Sequence, residues 1–502
     1  MVAVAALAAG IVAASAPVAQ ARTFVVTRSN DPVPDGCRRN DCSLREAVIA
    51  ANNRAGLDTI ELAQGTYRLL RPGTDEDMSA DGDLDVTDPL KILGAGPGKT
   101  RIDGGGATTG ERVFHVLSSR LTLRGLRVQN STDGSLAGIY AAGSDSALRL
   151  RDTVVKGHTA TVCCSGIVTE GALTLRDSKV LGNTAGSCCA GIFHAAQGRL
   201  ALQGVLVRGN RSSGCCAGIY SDTPKPTRII DSRVLKNRDE TNCCVGIMHF
   251  GDGSFQLRRV RVNDNISETC CTGIYVENVP LRGKDVQVSG NEDLLSCCSG
   301  IRMGGGGRLR DSTISGNSAP ECCAGIITFE TSRLSNVTIS GNHTADAAGG
   351  LWNVGTATLN NVTVTRNRAD TDNAGGGDGG GISNDVGATL ILRNSIVARN
   401  TVGSTGVGPD CHGTITSGGY NLIGDATDCT IVGKTTGNRI GANARLKPLR
   451  SNGGFTKTHA LAKRSAAVNR GSPKKQGPTV CMRRDQRGVK RVDCDMGSFE
   501  LV

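Results

Sequence analysis

Fourteen of the 20 cysteines in this 502-residue chain stand in seven copies of one string, Cys-Cys-x-Gly-Ile. The pairs are Cys163-Cys164, Cys188-Cys189, Cys215-Cys216, Cys243-Cys244, Cys270-Cys271, Cys297-Cys298 and Cys322-Cys323, spaced 25 to 28 residues apart. Paired thiols offer three kinds of chemistry. They oxidise to disulfides, they bind soft metals as thiolates, or they pack as small hydrophobes. A fixed step of this size is the mark of a solenoid, in which equivalent residues stack. The cysteines then form two columns about 4.8 Å per coil, within disulfide reach. Each column holds seven, so pairing within a column leaves one thiol over. Vicinal or diagonal disulfides are the alternatives. Zn²⁺ or Cu⁺ on the thiolates is a further reading, although Cys-x-x-Cys spacing is absent. His194 and His249 accompany only two of the pairs.

Six cysteines lie outside the repeats in close sets, Cys37 with Cys42, Cys411 with Cys429, and Cys481 with Cys494. They read as three local disulfides. The densest acidic segment is Asp75, Glu76, Asp77, Asp81, Asp83, Asp85 and Asp88. Within it Asp81, Asp83 and Asp85 form an Asp-x-Asp-x-Asp candidate for Ca²⁺, without the full EF-hand pattern. Residues 445–502 carry 14 Lys or Arg against four Asp or Glu, within a net charge of +11. Such a segment either meets an acidic polymer or is a solvated surface. No nucleic-acid motif accompanies it, so nucleic acid is not an expected partner.

The elements that position these groups are short strands. Leu173 to Asn183 alternates apolar and polar residues, the period of a half-buried strand, and ends in Gly-Asn. No stretch sustains a 3.6-residue period. Only 3% of residues are aromatic and 68 are glycine, which suits a narrow core tube. The fold class is therefore all-β, a solenoid with coils of about 25–28 residues. Asparagine recurs at one corner: Asn130, Asn183, Asn210, Asn237, Asn265, Asn291, Asn317, Asn342, Asn367 and Asn400, with His158 breaking the series. Stacked asparagines are expected to form a structural ladder. Counting back from the core isoleucine, alternation turns the second cysteine outward and the first inward, unless a bulge separates them. The residue after isoleucine faces out. It forms a stripe with Tyr140, Phe193, Tyr220, Met248, Tyr275 and Trp352 as its large members. Such a stripe binds sugar or protein, or only stiffens the sheet.

Val2 to Ala14 is an unbroken run of small and apolar residues, and Ala19-Gln20-Ala21 fits a small-x-small cleavage site. A signal peptide over residues 1–21 is expected, with no transmembrane segment once it is removed. A secreted or cell-surface location follows, which permits disulfides.

Asp41-Cys-Ser-Leu-Arg-Glu-Ala-Val48 resembles the CSLREA motif of exported bacterial proteins. Asp58-Thr-Ile-Glu-Leu62 and Gly82-Asp-Leu-Asp-Val86 fit the same pattern. Gly419-Tyr-Asn-Leu-Ile-Gly424, Asp485-Gln-Arg-Gly-Val489 and Cys494-Asp-Met-Gly-Ser-Phe-Glu500 are similar to the choice-of-anchor Q domain. The resemblance implies a right-handed parallel β-helix of the pectin-lyase-like type, exported and often surface-attached. Relatives commonly continue into a sorting signal, whereas this sequence stops at Val502, so surface attachment and release both stay open. Four segments are expected: the signal peptide at 1–21, a CSLREA-type cap with the first coils at 22–110, the repeats at 111–400, and a basic C-terminal cap at 401–502. The expected function is non-catalytic binding of extracellular glycan or cell-envelope material. The alternatives are a Ca²⁺-dependent polysaccharide lyase or hydrolase, and a thiolate metal-binding protein.

Overall fold

The computed structural model describes residues 21–73, 76–214, 216–241, 245–268, 272–295, 298–473, 477 and 480–502. The leader at 1–20, Asp75, and Cys215, Cys243, Cys244, Cys270, Cys271 and Cys297 lie outside the described residues. The chain winds as a parallel β-solenoid of about 12 turns, about 27 residues each, with almost no helix. A representative coil has three strands, Ile274–Val276, Leu281–Ser289 and Glu292–Asp293. Each pairs in parallel with its counterpart on the next coil, giving three stacked sheets. They are called here sheet 1, sheet 2 and sheet 3, in that order.

The interior is a narrow apolar tube. The isoleucines of sheet 1, from Ile139 through Ile326, are at most 1% exposed, and they face the leucine and valine rows of sheet 2. Burying each such side chain contributes about 1.5–3 kcal/mol. The residue two before each isoleucine is small or β-branched and fully buried, as with Ser165, Ala190, Thr272 and Ala324. The invariant glycine before isoleucine has a steric cause. A Cβ on Gly191, Gly246, Gly300 or Gly325 would lie 1.9 to 2.2 Å from the glycine carbonyl of the next coil. No other residue permits that stacking distance.

The asparagine corner is a continuous hydrogen-bonded ladder. From Asn183 to Asn400, each Nδ2 donates to the next Oδ1 at 2.8 to 3.0 Å. From Asn210 onward, each Nδ2 also donates to a carbonyl of the preceding coil, as Asn265 does to Val234 at 3.2 Å. Each Oδ1 accepts a backbone N–H as well, so these buried amides use their full capacity. Asp410 closes one end by accepting from Asn400 at 2.9 Å. His158 closes the other, with its N–H on Asn183 and its Nδ1 2.8 Å from Ser131 Oγ. Asn130 is not a rung. It is exposed at φ 58°, and its amide donates to Asp103, while the following Ser131 occupies the corner.

Segments outside the coils pack against them at the N-terminal end and along sheet 2. At the N-terminus, helix α1 (Leu44–Asn52) starts with a capping box between Ser43 and Glu46. Its fully buried Arg45 binds Asp31 at 2.8 Å and donates to the carbonyls of Ser79, Asp81, Gly82 and Asp83. The C-terminal segment turns back and straps the outside of sheet 2. His459 Nε2 lies 2.8 Å from Ser340 Oγ, Gln486 bonds Thr313 and Thr338, and Ser498 bonds Thr338 and Thr363. Two of this segment's basic residues are internal fasteners. Arg487 grips Asp485, and buried Arg491 pairs with Glu500 at 3.0 Å while donating to the carbonyls of Asp495 and Gly497.

Candidate functional site

The side chain after each core isoleucine stands on the outer face of sheet 1. Parallel register carries one row from Asp85 through His115, Tyr140, Val168, Phe193, Tyr220, Met248, Tyr275, Arg302, Ile327 and Trp352 to Ser383 and His412. Tyr140, Phe193, Tyr220, Tyr275 and Trp352 are half-buried. His115 stacks on Tyr140 at 5.2 Å and Phe193 on Tyr220 at 4.9 Å. Met248 is only 4% exposed. It lies under the surface because Cys216 Sγ packs 3.2 Å from its sulfur.

A second row, two residues further on, supplies Glu170, Asp222, Phe250, Glu277, Phe329 and Asp385. It borders the aromatic row and fixes its polar ends. Tyr140 donates its hydroxyl to Glu170 at 2.7 Å, and Trp352 donates Nε1 to Asp385 at 2.6 Å. Burial, then the Glu170 contact, pushes the Tyr140 phenol up to about 12, so it remains a donor. Arg302 pairs with Glu277 at 3.2 Å and lies over the Phe329 ring at 4.2 Å. Glu170 and Asp222 line a shallow cavity of about 290 Å³ over Ala195 and Ala196. They belong to alternate coils, so their backbones are roughly 9.6 Å apart. Both Glu170 oxygens already accept bonds from the coil, the second from Gly143 N at 2.7 Å.

The cysteines lie beside this stripe and outside the core tube. Cys164, Cys189, Cys216, Cys298 and Cys323 are buried in an outer apolar cluster with Tyr140, Phe193, Tyr220, Tyr275 and Trp352. The inward direction expected for the first cysteine is wrong. Cys163 and Cys188 are half-buried members of the same outer cluster. Cys322 also lies in the outer cluster, and there Cys323 at φ 20° breaks the alternation between neighbours. The Sγ atoms of Cys163, Cys164 and Cys188 lie within 4.8 Å of one another, with Cys163 and Cys164 at 3.4 Å. Burial pushes the Cys164 and Cys323 thiols well up. Cys322 is disulfide-bonded. Disulfides also join Cys37 to Cys42, Cys411 to Cys429, and Cys481 to Cys494. His194 and His249 point into the tube, each with Nε2 3.0 Å from a glycine carbonyl, so they do not join the sulfurs.

The acidic segment does not converge as an Asp81–Asp83–Asp85 loop. Asp81 pairs with Arg71, and Asp83 pairs with Arg112 at 2.6 Å. Asp85 accepts from Ser79 N at 2.7 Å. Burial, then the Asp85 charge, pushes the Asp83 carboxyl up to about 8, with Arg112 opposing. The grouping that does form is Asp77, Asp85 and His115, whose ligand atoms lie within 4.8 Å of one another. Sequence reading missed His115 because it stands 30 residues from Asp85, and only the stacking of adjacent coils makes them neighbours.

No family model and no curated protein matches this chain. Among solved structures, it is similar to pectate lyase Pel9A at 13% identity, covering 96% of this chain and 97% of that one, with a TM-score of 0.27. It is also similar to the A-module of the Azotobacter vinelandii mannuronan C-5 epimerase AlgE6. That match has 13% identity, covers 81% and 94% of the two chains, and has a TM-score of 0.23. Neither likeness bears on activity. No described helix is long and apolar enough to cross a membrane.

Proposed function

We propose that this is an exported binding protein of the CSLREA and choice-of-anchor Q kind. Its outer sheet 1 face holds an extended neutral glycan without cleaving it. The observation that carries the reading is the row of half-buried rings, Tyr140, Phe193, Tyr220, Tyr275 and Trp352, kept in one register along the solenoid axis. From Tyr140 to Trp352 there are eight coil steps, roughly 38 Å. Their exposed ring edges offer apolar contact to the C–H faces of sugar rings, and the neighbouring carboxylates accept from hydroxyls. The ring-holding bonds from Tyr140 and Trp352 leave the surface pre-ordered, which lowers the entropic cost of binding. Glu170, Glu277 and Asp385 are engaged in holding this surface, which favours binding over catalysis.

The exposed row Arg282, Arg308 and Arg333, in register on sheet 2, would add a second contact with an anionic envelope polymer, so that the solenoid bridges two materials. The test is titration of the intact protein with xylan or cello-oligosaccharides, with product analysis in parallel. Saturable binding that Tyr220→Ala weakens about tenfold, with no chain cleavage, is the expected result. Unsaturated or reducing-end products, or affinity indifferent to Tyr220→Ala, would sink the reading.

A further inference from the structure

We propose that Asp77, Asp85 and His115 form a Zn²⁺ site at the N-terminal end of the stripe, with a fourth position open to solvent. The site rests on its own geometry and is independent of the glycan reading. His115 Nδ1 lies 3.5 Å from Asp77 Oδ1 and 3.5 Å from Asp85 Oδ1. Both separations are too long for good hydrogen bonds. They match the edge of a tetrahedron around zinc, which is roughly 3.4 Å for ligand bonds near 2.1 Å.

Asp85 supplies the second, independent observation. Its side chain is fully buried, and Oδ1 has no hydrogen-bond partner while facing the cluster. A buried carboxylate oxygen left this way is costly, and a cation on it removes the cost. The other oxygen is already held. Asp85 Oδ2 accepts from Ser79 N at 2.7 Å, and the Ser79 hydroxyl bridges to the Asp85 backbone. That contact fixes the direction of Oδ1, as an outer-shell partner does in a built metal site. His115 is held in turn by stacking on Tyr140 at an interplanar angle of 10°.

The ligand set selects the metal. Calcium takes six to eight oxygens at about 2.3–2.6 Å, and this corner presents two carboxylates and an imidazole. Imidazole with carboxylate suits zinc, and three protein ligands leave a coordination position for water or a ligand hydroxyl. That position opens beside Tyr140, where the aromatic row begins.

The decisive measurement is Zn²⁺ stoichiometry and affinity on chelator-stripped protein, with Co²⁺ as a spectroscopic reporter. One equivalent is expected at this site, giving the visible absorption of tetrahedral Co²⁺ with no thiolate charge-transfer band. Asp77→Asn is the primary variant, because the Asp77 side chain is 66% exposed and its loss leaves the fold intact. It should weaken Zn²⁺ at least about tenfold, as should His115→Gln. A protein with Cys163→Ser, Cys164→Ser and Cys188→Ser should keep this equivalent. The proposal is overturned if stripped protein takes up no Zn²⁺. It is equally overturned if Asp77→Asn and His115→Gln bind normally, or if only the cysteine variant loses the metal.

Discussion

The outer faces of sheet 1 and sheet 2 are built on the same coils and share one core, yet they carry opposite chemistry. Sheet 1 presents half-buried rings bordered by carboxylates. Sheet 2 presents exposed cationic side chains in register: Arg282, Arg308 and Arg333 in one row, with Arg258, Lys284 and Arg310 in the next. These six line a groove of about 630 Å³. Like charges stacked at about 4.8 Å repel, and an anionic polymer lying along the groove relieves that repulsion. In a solenoid the inward rows are bound to packing, while each outward row is free to be chosen separately. Function is therefore to be sought row by row.

The comparison breaks most completely under charge reversal. Arg282→Glu with Arg308→Glu should abolish binding of polygalacturonate, measured by titration at low salt, and leave neutral oligosaccharide binding unchanged. Added salt should weaken the acidic polymer on wild-type protein and spare the neutral one. Loss of both ligands together would show that the two faces are not separate sites. On the other face, Trp352→Ala should cost about tenfold in affinity for the neutral ligand only, or about 1.4 kcal/mol.

Acid should strike both faces together, because it acts on the shared interior and on the strap over sheet 2. Burial pushes His158, His194 and His459 down to about 4 from an ordinary value of 6.5. The unfolded chain then binds more protons than the native one between those limits. The contribution of these histidines to stability is full above about pH 6.5 and is lost as the pH is lowered toward about 4. Chemical denaturation across that window should show the loss, and His158→Asn, which extends the asparagine ladder, should reduce it. A flat profile would contradict the buried, neutral state of these rings.

The smallest expected effect is on the sulfurs beside the stripe. Half-buried Cys188 should alkylate before Cys164 and Cys323, whose thiols are shielded and raised in pKa by burial. Mass spectrometry of protein labelled at mildly alkaline pH checks the order. Modification there should disturb the neutral glycan slightly and the acidic polymer not at all.

Much of the coil was legible in the repeat itself. Alternation around isoleucine identifies the inward small residues, and the glycine and asparagine columns follow from stacking identical corners. The site was less legible. At the Cys322-Cys323 pair a left-handed backbone at Cys323 broke the alternation, which a period-two rule cannot foresee. Met248 has the composition of a stripe residue but is covered by a cysteine from the preceding coil. The Asp-x-Asp-x-Asp spacing of residues 81, 83 and 85 pointed to one cation, yet Arg71 of the same coil captures Asp81 and Arg112 of the next coil captures Asp83.

By itself, the sequence determined the period, the core rows and the ladder, because each depends on one coil repeated and on contacts between equivalent residues. Only the tertiary structure decided which non-equivalent groups meet. Asp77, Asp85 and His115 converge, and Gln486 and Ser498 reach back to Thr338. Those contacts depend on how caps and neighbouring coils close in space, which local periodicity does not encode.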